Sequence, residues 1–139
     1  MAIPKVRSLR GAGLEGVDLS TQSMPGVDLS GANLSEANLW RANLSGANLS
    51  GANLTMAQLA GAALAGADLT GASLAGADLT RACLGGAALV GADLTGASLL
   101  GSDLTGASLV EAVLAGAIYH ESTRFPDGFD PKERGMVKP

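Results

Sequence analysis

The chain has 139 residues, a formal net charge of −4, one cysteine, one histidine and 3% aromatic residues. This length corresponds to one domain, a single cysteine excludes an internal disulfide, and the few aromatic residues cannot fill an ordinary globular core. No block of like charges is present, which argues against nucleic acid or an anionic membrane as a partner. Because no apolar run approaches the roughly 20 residues of a membrane span, and residues 1–7 lack a signal-peptide core, a cytoplasmic location is expected.

A five-residue repeat dominates the chain. From Leu9 to Tyr119 every fifth residue is leucine except Met24 and Tyr119, with alanine usually two places before and glycine two places after. Neither a helix nor a flat strand keeps such leucines on one face. Residues two apart in an extended segment point the same way, and glycine tolerates the positive φ of tight turns. A bend in each unit would therefore coil the backbone around a leucine core, predicted as Leu29, Leu34, Leu39, Leu44, Leu49, Leu54, Leu59, Leu64, Leu69, Leu74, Leu79, Leu84, Leu89, Leu94, Leu99, Leu104, Leu109 and Leu114.

Units such as Gly46-Ala47-Asn48-Leu49-Ser50 and Gly66-Ala67-Asp68-Leu69-Thr70 resemble those of the pentapeptide-repeat family. The resemblance implies an all-β solenoid, a right-handed quadrilateral β-helix with four units to a coil and about five and a half coils. The period by itself predicts a coil and leaves the number of sides open. With coils about 4.8 Å apart, the rod would be about 26 Å long. The chain then divides into a lead-in (1–8), a β-helix (9–118) and a C-terminal cap and tail (119–139).

The N-terminal part departs from the regular unit. Ile3 and Val6 of the lead-in are expected to cover the open end of the first coil. Gln22 takes an alanine position, and a glutamine is poorly placed inward without a partner. We expect the corner from Gln22 to Pro25 to loop out or to lie at the frayed end of the rod. The glycines of residues 11–16 match G-x-G-x-x-G, but the five-residue register explains them and no strand or helix flanks them.

Outward Asn and Asp residues precede many of the leucines. Such side chains bond neighbouring backbone amides in turns, which is their expected role. The alternative is a negative stripe that mimics DNA, as the resemblance to gyrase-binding members of the family suggests. If four units form a coil, the outward aspartates fall on all four faces, and no dense acidic face is expected: Asp18, Asp28, Asp68, Asp78, Asp93 and Asp103.

One face carries larger outward residues, and these form the candidate partner contact: Trp40, Arg41, Arg81 and Leu100. Tryptophan and arginine are enriched in binding hot spots. The alternative is that Trp40 packs flat against small neighbours with Arg41 stacked on it. Nearer the C-terminus, Val90, Val110 and Val113 are exposed apolar candidates for self-association, so the chain is expected to be a monomer or a weak homodimer.

After Ile118 the composition changes, and the only tyrosine and both phenylalanines follow. We predict that Tyr119, Phe125 and Phe129 cap the last leucine layer, with a disordered tail as the alternative. Asp130-Pro131-Lys132-Glu133 has the pattern of an N-cap, a proline at N1 and a glutamate at N3, which predicts a short helix. This ending is similar to the tails of cyanobacterial pentapeptide-repeat proteins.

The sequence contains few residues that could act in catalysis or bind a metal ion. His120 is the only histidine, so neither a metal site nor a cofactor is expected. Cys83 should point outward nearly two coils from His120, so the pair is not expected to act as a nucleophile and base. No catalytic residue is predicted. The chain is therefore expected to be a non-catalytic rod that binds an unidentified protein as a scaffold or regulator. The alternatives are a DNA mimic that binds gyrase or topoisomerase and, more remotely, an ice-binding protein, although Ala75 between Thr55 and Thr95 breaks the threonine array.

Overall fold

The computed structural model describes residues 8–139, in which the backbone forms a coil with a period of 20 residues. Single parallel bridges join residues 20 apart, beginning with Ser8 to Asp28 and continuing to Ser98 and Ile118. Backbone hydrogen bonds follow the same register, as when Leu49 N–H donates to the Asp68 carbonyl at 2.7 Å. Since a turn occurs in every five residues, each coil has four corners. The predicted lead-in, with Ile3 and Val6, lies outside the described residues apart from Ser8.

Each corner is a hydrogen-bonded turn that begins at the inward leucine. At Leu69, for example, the carbonyl accepts the N–H of Ala72 at 3.0 Å, and Gly71 has a φ of 68°. A positive φ at the third residue is the signature of a type II turn. Most corners have glycine there, but six other residues adopt the same conformation with φ between 55° and 60°: Thr21, Glu36, Arg41, Met56, Arg81 and Glu111.

The corner from Gln22 to Pro25 is regular, so of the two expected outcomes, a loop or a position at the frayed end of the rod, the loop was wrong. Met24 is buried in the core, and its N–H donates to the Asn43 carbonyl at 2.8 Å. Pro25 and Gly26 occupy the two central positions of the turn, where proline presets φ and glycine supplies the positive φ of 71°. The half-buried Gln22 keeps the standard backbone bonds. The backbone therefore keeps the regular coil at Gln22, and the turn of Pro25 and Gly26 follows in register.

The core runs lengthwise through the rod. Every inward leucine of the five-residue register from Leu29 to Leu104 is 0% exposed, and Leu109 and Leu114 are also buried. The alanines two places upstream line the same interior. Ser102, which replaces an alanine, is buried as well, and its hydroxyl donates to the Leu99 carbonyl at 2.8 Å. The buried layers stack without interruption, which fits the continuous core of a solenoid.

The C-terminal segment forms an irregular last coil. Arg124 bridges to Asp103 and Val137 to Ile118, with offsets of 21 and 19 residues in place of 20. Tyr119 is 8% exposed and meets the Phe125 ring edge-on at 5.6 Å. Phe125 in turn stacks on Phe129 at 4.9 Å, and both phenylalanines pack against the core. The three aromatic residues thus lie over the end of the leucine column.

The cap contains hydrogen-bonded turns at 131–135, so the prediction of a short helix there was wrong. Asp130 does accept the Lys132 N–H at 3.0 Å, as an N-cap side chain would. After these turns, Val137 continues the coil, since its N–H donates to the Ala117 carbonyl and its carbonyl accepts the Tyr119 N–H. Arg134 also donates to two carbonyls of the last regular coil. These long-range bonds replace the few intrahelical bonds that a single turn of helix would form.

Residues 8–139 contain no helix with the length and apolar character required to cross a bilayer.

Candidate functional site

The four residues of the predicted contact line one groove on the surface of the rod. Because coils repeat every 20 residues, Trp40 and Arg41 stack below Arg81 and Leu100, two and three coils further along. The groove has a volume of about 770 Å³. It follows the corner formed by the turns at 40–41, 60–61, 80–81 and 100–101, which we name the groove corner, and its remaining lining residues are Ala60, Gly61, Thr80, Gly101, His120 and Ser122.

Large and small residues alternate along the groove corner, and this alternation positions the two arginines. A Cβ on Gly61 would lie 3.1 Å from the Cγ of Arg41, and a Cβ on Gly101 would lie 3.3 Å from the Cγ of Arg81. Each arginine side chain therefore rests on the glycine of the next coil. The glycines make room for the arginine stems, and this contact restricts where the two guanidinium groups can lie.

Both arginines occupy strained backbone positions. Arg41 has a φ of 55° and Arg81 a φ of 58°, in the left-handed region that glycine adopts freely. For other residues this conformation costs roughly 1 to 2 kcal/mol. Thr21, Glu36, Met56 and Glu111 adopt the same conformation outside the groove, so this strain is shared by several corners of the rod. The two arginines are thus kept at positions where glycine would fold more easily.

Trp40 is the large apolar surface of the groove. Its side chain is 46% exposed, and the Arg41 guanidinium lies 5.1 Å from the centre of the indole ring. The stacking of Arg41 on Trp40 is therefore present, as the alternative interpretation held. The stack leaves nearly half of the indole open to solvent, so the same pair can also contact a partner.

His120 and Ser122 form the C-terminal end of the groove. The Ser122 hydroxyl lies 2.6 Å from Nδ1 of His120, and the Ser122 N–H also donates to that nitrogen at 3.1 Å. Sequence reasoning considered His120 only as a catalyst or metal ligand and did not include it in the contact face. The signal was present, since residue 120 follows residue 100 by one 20-residue coil.

The groove is locally positive although the chain carries a net charge of −4. Its lining includes Arg41 and Arg81 and no carboxylate. Glu121, the nearest acidic neighbour in sequence, pairs with Lys138 at 2.8 Å. The hydrogen bond and the charge of Lys138 lower the pKa of Glu121. An anionic group entering the groove therefore meets two guanidinium groups without a competing carboxylate in its wall.

The outward aspartates are engaged in turns on all four faces. Asp18, Asp28, Asp93 and Asp103 each accept a hydroxyl and a backbone N–H from the Ser or Thr two residues later. These hydrogen bonds lower the pKa of each of the four carboxyl groups. The aspartates do not combine into one acidic face, because their register positions distribute them around the rod.

A second, smaller groove of about 480 Å³ lies at the C-terminal end, between Leu109, Val110, Phe129 and Arg134. Val110, which lines this groove, and Val113, which does not, are both exposed, whereas Val90 is half-buried. Self-association through the valines stays a prediction. Cys83 is exposed, and the described part of the chain holds no group of three or more His, Cys, Asp or Glu side chains that could bind a metal ion.

Comparison with known proteins relates this coil to one family. The model of the family described as pentapeptide repeats matches eight copies, in residues 23–56, 57–96 and 87–118. No curated protein sequence matches the chain.

The solved structures that are similar to this chain include three from cyanobacteria and a plant. HetL, a pentapeptide repeat protein involved in heterocyst differentiation regulation in the cyanobacterium Nostoc sp. PCC 7120, is 27% identical with a TM-score of 0.51, covering 94% of this chain and 71% of HetL. A pentapeptide repeat protein of the cyanobacterium Cyanothece 51142 is 34% identical with a TM-score of 0.45, covering 86% and 91%. A third, from the thylakoid lumen of Arabidopsis thaliana, is 32% identical with a TM-score of 0.37, covering 81% and 68%. The family match and the likeness to HetL imply that the coil is a right-handed β-helix.

Proposed function

Because the chain belongs to the pentapeptide repeat family, we propose that it is a non-catalytic scaffold or regulator that binds a partner protein through the groove of Trp40, Arg41, Arg81 and Leu100. In this proposal the chain is a four-sided rod of about five and a half coils, and the partner lies along one corner of it. The observation that carries the proposal is the half-exposed Trp40, the only tryptophan of the chain, in one groove with two arginines.

The dimensions of the groove suit a protein partner. From residue 40 to residue 120 the corner spans four inter-coil steps, which is about 19 Å at the usual spacing of β ladders. Tryptophan and arginine are the residues most enriched among binding hot spots. HetL, with 27% identity and a matching fold, is a protein of regulation, which supports a regulatory role here. A cytoplasmic location stays a prediction, since one similar structure comes from the thylakoid lumen.

The two other function classes have less support. DNA mimicry needs a continuous acidic face, whereas the aspartates are distributed over four faces and bound in turns. Ice binding needs an ordered hydroxyl lattice, and Ala75 interrupts the column of Thr55 and Thr95. A gyrase supercoiling assay and a thermal hysteresis measurement, respectively, should show no effect of the protein.

A pull-down from the native lysate tests the groove. The double variant Trp40→Ala and Arg41→Ala should lose the partner that the unchanged protein retains. Met56→Ala is the control. Met56 is a large exposed residue that occupies the same turn position as Arg41 but lies at another corner. Retention of the partner by the double variant, with a folded rod by circular dichroism, would exclude this groove as the binding site.

A further inference from the structure

Resting on the proposed function, we infer that the groove binds an extended acidic segment of the partner, with two carboxylates spaced three residues apart. The two carboxylates bind Arg41 and Arg81. Apolar residues of the segment pack on Trp40 at one end of the groove and on Leu100 at the other.

The positive charge of the groove favours an acidic ligand. The groove wall contains two guanidinium groups and no carboxylate, on a protein whose net charge is −4. Arginine binds carboxylates through charge-assisted hydrogen bonds, which are stronger than neutral ones. The contacts with Gly61 and Gly101 restrict the two stems before binding, so less side-chain entropy is lost when the carboxylates arrive.

The distance between Arg41 and Arg81 along the rod favours one spacing of the two carboxylates. Arg41 and Arg81 lie two coils apart, which corresponds to about 9.6 Å along the rod. In a polyproline II segment, residues three apart lie on the same face and about 9.3 Å from one another. In a β-strand, residues on the same face are two apart and about 6.7 Å from one another. The backbone spacing of the two arginines therefore matches acidic residues at positions i and i+3 of a polyproline II segment.

The exposed side chain of Trp40 favours a segment in the polyproline II conformation. Polyproline II segments dock in grooves lined by aromatic side chains, because the preformed conformation loses little entropy on binding. Trp40 supplies such a surface in the same coil as Arg41. A proline next to the first acidic residue would pack on the exposed part of the indole.

A nucleic acid strand fits these observations less well. Phosphate backbones are bound by many cationic groups, whereas the groove contains two arginines. Asp78 also lies beside the groove, bound to the hydroxyl of Thr80, which is one of the lining residues. Because Thr80 is next to Arg81, the Asp78 carboxylate would repel a peptide carboxylate bound to Arg81 as well as a phosphate, so the small number of arginines is what disfavours nucleic acid.

The test uses the full chain and labelled synthetic peptides. A proline-rich peptide with glutamates at i and i+3 is compared by fluorescence anisotropy with three probes: the same peptide with glutamines, an isomer with glutamates at i and i+2, and single-stranded oligothymidine. Quenching of Trp40, the only tryptophan, reports whether the peptide lies in the groove. The i, i+3 peptide should bind about tenfold or more tightly than the glutamine peptide, and more tightly than the isomer.

Variants of single arginines complete the test. Arg41→Gln or Arg81→Gln should each weaken the acidic peptide about tenfold. Arg10→Gln removes the same charge at the diagonally opposite corner and should change the affinity less than about twofold. Equal binding of the glutamine peptide, tighter binding of the oligonucleotide, or absence of peptide binding would each overturn the inference.

The two proposals can fail separately. If the acidic peptide does not bind while the double variant still loses its partner in the pull-down, the acidic segment is wrong and the groove remains the site. If the double variant keeps its partner, the proposed function itself is wrong, and binding of the peptide would then be unrelated to that partner.

Discussion

The groove corner and the diagonally opposite corner of the rod have the same backbone and different side chains. The opposite corner consists of the turns at 10–11, 30–31, 50–51, 70–71, 90–91 and 110–111, and the third residue of each turn is glycine except Glu111. At the groove corner, Arg81 takes that position with a φ of 58°, against 68° for Gly71. The turn hydrogen bond is 3.0 Å in both. The inward residues thus specify the coil, and the outward residues of the turn can change while the backbone stays the same.

The largest loss of stability is expected from a charge placed in the leucine core, which supports both corners. Leu69→Asp should reduce the free energy of unfolding by more than about 4 kcal/mol, because the carboxylate would be buried without a partner. Chemical denaturation followed by circular dichroism measures the loss. Ala65→Asp places the same charge on an exposed position and should leave stability nearly unchanged. A stable Leu69→Asp rod would contradict the continuous core.

Exchanging the third turn residue tests the two corners directly. Arg81→Gly should raise the free energy of unfolding by about 1 kcal/mol, since glycine relieves the positive φ. Gly71→Arg should lower it by a similar amount, because a side chain there has open space and the backbone strain remains. Thermal and chemical denaturation give both values.

Arg81→Gly should at the same time weaken partner binding. A change that stabilises the fold and impairs binding would identify the arginine as kept for function. A destabilised Arg81→Gly variant would instead show that the side chain supports the rod.

A smaller difference in stability is expected between glycine-to-alanine variants at the two corners, because only one of the two glycines is in contact with an arginine side chain. Gly51→Ala at the opposite corner adds a Cβ with nothing within 4 Å, so only the φ of 66° opposes it. Gly61→Ala has the same backbone cost and also crowds the Cγ of Arg41 at 3.1 Å. We expect Gly61→Ala to be the more destabilising by about 0.5 kcal/mol and to weaken partner binding. Equal stability and unchanged binding would contradict the packing of Arg41 on Gly61.

The smallest effect is expected in the dependence of stability on pH, through the carboxyl group of Asp28. The Ser30 hydroxyl and N–H donate to Asp28 and lower its pKa below the usual 3.8. A lowered pKa in the folded state means that this contribution is present above the unfolded pKa and is lost as the pH falls through the folded value. Stability should therefore decline below about pH 4. Asp28→Asn should make the decline slightly shallower in a pH series of denaturation curves, and a steeper decline would reverse the expected sign.

Much of the fold could be predicted from local residue types. The leucines and alanines have a period that only a bending chain can bury, and Trp40 and Arg41 differ visibly from their small neighbours. Gln22 was misjudged because its side chain was considered apart from the turn chemistry of Pro25 and Gly26. The helix at Asp130 was misjudged because its capping pattern is local, whereas the bonds of Val137 and Arg134 to the preceding coil are not.

The period of five residues determined, by itself, which side chains point inward and where the turns fall, because both depend on neighbours within one unit. It could not determine which units lie side by side, because that depends on the closure of the coil after 20 residues. Only the tertiary structure placed Arg41 on Gly61, joined Trp40 to His120 along one groove, and closed the rod with Arg134. These contacts are between residues distant in sequence, and they form only once the coils have stacked.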